Sequence, residues 1–124
     1  MLKKSSTDKL TELLALSATG QEQDWEIELA NEQRIGEFLA AYEEIISSPD
    51  DKLALMALIL ASTDQYIESK SSVPAEWKTI ANILVEEREL HQEIISYWRC
   101  DDDGNGPGMW FPLTPYIRAL DIFK

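Results

Sequence analysis

Nine consecutive residues, Leu53 to Ala61 (LALMALILA), carry no polar side chain. A helix built from them is apolar all round, so it has to be covered on several sides. What precedes them favours a helix. Ser48 suits an N-cap. Pro49 suits the first helical position, where its missing N–H is not needed. Asp50 and Asp51 face the positive end of the helix dipole. We therefore expect a central buried helix over about 49–67, with its alanines allowing neighbours to come close. The apolar run is about half of the roughly 20 residues needed to cross a bilayer, which favours a core helix over a membrane span.

The remaining periodicity is also mainly helical. Leu10, Leu13, Leu14 and Leu16 outline a short amphipathic helix with Thr7 as its candidate N-cap. Ile35, Phe38, Leu39, Tyr42 and Ile45/Ile46 line one face of another, with Asn31 as candidate N-cap. Gly36 within it costs about 1 kcal/mol relative to Ala and suggests close helix packing. Beyond Pro74, apolar residues recur at three and four from Trp77 to Trp98. That face weakens at Glu86 to Glu89, which leaves one long helix or two. Thr114-Pro115 opens a last short helix. Trp25, Ile27 and Leu29 alternate with Glu26 and Glu28, a pattern open to a short strand or one helical turn. The expectation is an all-α, compact bundle of five or six helices forming a single domain over 1–124. Leu55, Met56, Ile59, Leu60, Trp77, Ile80, Leu84, Ile94 and Trp98 are its expected core.

Charge narrows the function. The 124 residues hold 23 Asp and Glu against 11 Lys and Arg, a net charge of −12. Phosphate-rich surfaces repel such a chain, which argues against nucleic-acid and anionic-membrane partners. One Cys excludes an internal disulfide framework, and the polar residues after Met1-Leu2-Lys3-Lys4 do not continue as a signal peptide. A cytoplasmic location is expected. The acid is also concentrated. Glu22 to Asp51 contains ten acidic residues and one basic residue, Arg34, a local net of −9. A field of that kind attracts cations or a basic protein, and aromatic anchors such as Trp25, Tyr42 or Trp110 would suit such an interface. Trp25 and Tyr42 are nonetheless expected in the core, where large aromatics usually go.

Few residues suggest chemistry. Asp101-Asp102-Asp103-Gly104-Asn105-Gly106 opens like a calcium loop, but Pro112 stands where the bidentate Glu belongs and Gly108 where an apolar residue belongs. A solvated turn-rich loop is the simpler reading. His91, the only histidine, lies on an apolar face one turn after Glu87, and a partly buried, hydrogen-bonded role is expected for it. Cys100 is nine residues further, too far along a continuous helix to share a site. Glu43/Glu44 and Glu86/Glu87 read as solvated helix faces. No nucleophile elbow, phosphate loop or paired-cysteine motif occurs. Arg118 is a candidate partner for the acidic loop or for a helix C-terminus.

Several strings taken together resemble small helical bacterial proteins, some of which look like immunity proteins of toxin loci. They are Asp24-Trp25-Glu26 with Glu28, Arg34-Ile35, Phe38 and Tyr42, Leu55 to Ser62 with Asp64, Trp77, Leu90-His91, Ile94, Tyr97-Trp98, Phe111, Thr114-Pro115 and Arg118. The resemblance spans most of the chain through packing positions. It implies a cytoplasmic protein that binds and blocks a toxin domain, and it carries over no catalytic residues.

The leading expectation is therefore a non-enzymatic protein without cofactor or metal that neutralises a basic toxin domain, such as a nuclease. Its candidate binding face is Glu22, Asp24, Glu26, Glu28, Glu32 and Glu37, with Asp101, Asp102 and Asp103 as a second patch. The alternatives are a helical regulatory or adaptor module, and a metal-assisted hydrolase using His91, Glu87 and nearby carboxylates.

Overall fold

The computed structural model describes residues 2–100 and 110–120. Among them are seven helices and no strand: α1 (Lys4–Leu13), α2 (Trp25–Glu28), α3 (Ile35–Glu44), α4 (Pro49–Lys70), α5 (Trp77–Glu86), α6 (Gln92–Arg99) and α7 (Thr114–Arg118). The chain is all-α, as its periodicity predicts. No described helix is long and apolar enough to cross a membrane.

The apolar segment forms the hub. Every residue from Ala54 to Thr63 is buried, and α1, α2 and α3 all pack on α4. Pro49 takes the first helical position after Ser48, whose side chain makes no capping bond. Asp51 does more than face the helix dipole. Its buried carboxylate accepts a hydrogen bond from Lys9 Nζ at 2.7 Å, tying α1 to α4. The helix runs three residues past the expected end and stops at Ser71, whose φ of 59° ends the helical run. Its buried hydroxyls bond within the helix, Ser62 to the Leu58 carbonyl and Thr63 to that of Ile59. Ser62 Oγ and Gln65 Oε1 also accept the backbone N–H groups of Asn31 and Glu32, so α4 fixes the turn that leads into α3.

The structure decides two local alternatives, at residues 25–29 and from Trp77 to Trp98, and changes other local expectations. Residues 25–29 are one helical turn, because Trp25 and Leu29 lie one turn apart and point inward while Ile27 is exposed. Thr7 lies inside α1 and bonds the Lys4 carbonyl at 3.1 Å rather than capping the helix. Asn31 closes a side-chain turn by accepting the Gln33 N–H at 2.9 Å, and α3 begins only at Ile35. Gly36 faces the Glu76 carboxylate rather than a tightly packed helix backbone. The stretch from Trp77 to Trp98 is two helices. The one-turn α2 and this split account for the helices beyond the five or six expected.

One buried cluster runs from Leu10 to Ile117 and includes every expected core residue except Trp77. Trp77 is half-buried, set edge-on to Tyr116 with ring centroids 6.3 Å apart. The C-terminal part closes on α6. The buried Thr114 hydroxyl donates to the Trp98 carbonyl at 2.7 Å and accepts the Phe111 N–H at 3.1 Å. Arg118 Nε donates to the Arg99 carbonyl at 2.9 Å, which places this cation at a helix C-terminus, where it is favoured. Its guanidinium also covers the Trp110 ring at 4.3 Å.

Candidate functional site

Two polar constellations stand out among the described residues. The first is a groove of about 530 Å³ between α1 and the segment leading into α2. Lys4, Thr7, Asp8 and Thr11 form one wall, spaced so that all four share a face of α1. Thr19, Glu22, Asp24 and Glu26 form the opposite wall, and Leu2, Ala18 and Trp25 add apolar surface. The walls are joined at one point, where Trp25 Nε1 donates to Thr11 Oγ1 at 3.1 Å. Trp25 is thus buried and its one donor satisfied, as large aromatics require.

The groove is strongly negative. Asp8, Glu22, Asp24 and Glu26 line it against one cation, Lys4, whose exposed ion pair with Asp8 spans 3.2 Å and contributes little. Glu22 has a local role. It accepts the Thr19 N–H at 2.6 Å, the Thr19 hydroxyl and the Gly20 N–H, and the Thr19 backbone bond above all holds its carboxyl below the usual range. Asp24 and Glu26 have no basic partner among the described residues. Burial, with the nearby charges of Asp24 and Glu28, pushes the Glu26 carboxyl up. A half-buried carboxylate among like charges gains from any cation brought to it.

Not all of the expected face takes part. The structure brings Glu22, Asp24 and Glu26 together in the groove. Glu28 reaches back to the Asp24 N–H at 3.0 Å and closes the start of α2. Glu37 is held by Arg34, whose Nε donates to it at 3.0 Å, and this pairing keeps its carboxyl low. Glu32 is half-buried with Oε2 lacking a partner, and it does not line the groove. Asp101, Asp102 and Asp103, with the calcium-like loop they open, lie outside the described residues. Asp8 joins the site without having been expected there. Its signal was the polar stripe at 4, 7, 8 and 11, which by itself reads as a solvated face.

The second constellation is a polar knot under α3, α4 and the α5–α6 junction. The Tyr42 hydroxyl donates to Glu87 Oε1 and lies 2.8 Å from His91 Nε2. Lys52 Nζ donates to Glu87 Oε2 at 2.8 Å. Glu87 is therefore not the solvated residue its sequence context suggests. Burial works to raise its carboxyl, but the Lys52 and Tyr42 bonds outweigh that and hold it low. Glu87 also stands where α5 ends, with φ −112° and ψ 31°.

His91 is 0% exposed, and burial lowers its pKa to about 4, so it is neutral at pH 7. With the Tyr42 proton directed at Glu87, His91 Nε2 carries the hydrogen and donates to the Tyr42 oxygen. Nδ1 is left buried without a partner. Among the described residues no three His, Cys, Asp or Glu side chains converge as a metal-ligand group. The neighbours that complete the surroundings of Glu87 and His91 are an ammonium and a phenol.

No protein-family model matches the chain, and no curated protein and no solved structure is significantly similar to it.

Proposed function

We propose that this chain is a non-enzymatic binding protein, and specifically a cytoplasmic immunity protein that neutralises a basic toxin domain such as a nuclease. The observation that carries this reading is the groove, where four carboxylates face one lysine and neither Asp24 nor Glu26 is paired with a cation. Unpaired carboxylates on a concave wall attract basic side chains, and their field speeds the encounter with a positively charged cleft. Occupying such a cleft competes directly with an anionic substrate. The local net of −9 over Glu22 to Asp51 extends that field beyond the groove.

The test is association kinetics with a basic nuclease domain, from low to high salt. The on-rate is expected to fall steeply as salt rises. Asp24→Asn with Glu26→Gln should slow it further, and Glu43→Gln with Glu44→Gln, on exposed α3 positions, should slow it less. An on-rate that is flat in salt overturns the proposal.

A further inference from the structure

Helix α5 is fastened differently from its neighbours. Of its ten residues only Ile80 and Leu84 are buried, against twelve of the 22 in α4. Its neighbours also have polar ties. Lys9 and Asp51 join α1 to α4, and the Thr114 hydroxyl and Arg118 join α7 to the end of α6. Among the described residues, no side chain from Trp77 to Glu86 makes a hydrogen bond or ion pair to another helix. Trp77 adds only its ring-edge contact with Tyr116.

The polar fastening lies just past the helix. Glu87, the residue that ends α5, takes the Lys52 ammonium of α4 on one oxygen and the Tyr42 hydroxyl of α3 on the other. Buried residues bound the segment on both sides, Pro74 before it and His91 after it. Between these anchors and the helix lie exposed positions, Ala75 at one end and Arg88 and Glu89 at the other. Exposed backbone of this kind can absorb a change of direction without disturbing the core.

We infer that α5 is a latched lid: the segment from Trp77 to Glu87 leaves the core as one unit while the other helices stay folded, and the contacts of Glu87 with Lys52 and Tyr42 are the latch. Releasing it exposes Ile80 and Leu84 and leaves the packing of α1, α2 and α3 on α4 intact, so it costs less than unfolding the whole chain. Once detached, a helix of ten residues is too short to persist in water, so its backbone hydrogen bonds open as it leaves. What it uncovers is the part of the core that Ile80 and Leu84 fill, an apolar slot that is closed at rest.

The test is amide hydrogen exchange of the full chain, followed by NMR in water and in urea too dilute to unfold it. Amides of Ala81 to Glu86 are expected to exchange at least about a hundredfold faster than those of Leu58 to Leu60, with a shallower dependence on urea because less surface opens. Two variants separate the lid from the whole. Lys52→Met removes the latch ammonium and keeps an apolar stem, so it should speed the α5 amides about tenfold, and those of α4 with them, since the unfolded chain lacks the latch too. Lys9→Met breaks the tie between α1 and α4, which persists when only the lid is open. It should speed the α4 amides and leave those of α5 unchanged. If the α5 amides share the rate and urea slope of α4, or respond to Lys9→Met as α4 does, the lid is overturned. If they open locally but ignore Lys52→Met, the latch is overturned.

Discussion

Replacing Tyr42 with Phe removes one oxygen from the polar knot and tests how that knot is wired. Two groups lose a partner. Glu87 keeps Lys52, and its side chain is 30% exposed, so water can take the vacated position. His91 has no such remedy, being 0% exposed with Tyr42 as the hydrogen-bond partner of its Nε2. Moving the hydrogen to Nδ1 does not help, because that nitrogen is buried without a partner as well. A buried donor left unsatisfied costs about 1–3 kcal/mol, and the lost bond to a charged acceptor adds a further fraction. The expected loss is about 2–3 kcal/mol, a large part of the roughly 5–15 kcal/mol that keeps a domain folded.

Urea unfolding followed by tryptophan fluorescence reads this loss directly, with an unchanged m-value showing that only stability has moved. Repeating Tyr42→Phe in a His91→Leu background should cost distinctly less, because the orphaned donor is gone. A loss below about 0.5 kcal/mol in the native background, or strict additivity in the cycle, would refute the Tyr42–His91 hydrogen bond.

Two further outcomes are expected. The folded-state pKa of His91 is about 4 against an ordinary 6.5, so the unfolded chain takes up the proton first as pH falls. Stability from this residue is therefore complete above about pH 6.5 and declines toward pH 4, by an amount on the order of 3 kcal/mol. Glu26 and Asp64, both raised by burial, work in the opposite sense over their own range, so the His91 contribution is read as the difference between the native chain and His91→Gln. Equal pH slopes in the two proteins would sink this assignment. Gly36→Ala should raise stability by about 0.5–1 kcal/mol in thermal unfolding, since the new methyl meets only the end of the flexible Glu76 side chain, at 3.0 Å. A loss of stability would mean that Glu76 is locked in place.

What could be read from the sequence followed from local causes. The 53–61 run with its Ser-Pro-Asp-Asp start was enough for α4, and burial of Trp25, Tyr42 and His91 followed from residue type and spacing. The split between α5 and α6 was half legible: the apolar face weakens at Glu86 to Glu89, where the helices part, but the bonds that Lys52 and Tyr42, remote in sequence, make to Glu87 left no trace in that pattern. The same limit applied to the acidic face. Charge density singled out Glu22, Asp24 and Glu26, but it could not separate them from Glu28 and Glu37, which the chain uses to close a helix start and to hold Arg34. Nor could it recruit Asp8, whose place in the groove depends on how α1 packs.

That packing has a consequence for synthesis. Every residue lining the groove lies between Leu2 and Glu26. Yet α1 and α2 are both seated on α4, and apart from the Trp25–Thr11 bond little joins them directly. An emerging chain therefore carries the complete set of groove residues long before it has a groove. The cavity can take shape only once Lys70, the end of the hub, has left the ribosome. A fragment ending before Pro49 would contain each of those side chains and have nothing to hold the two walls apart.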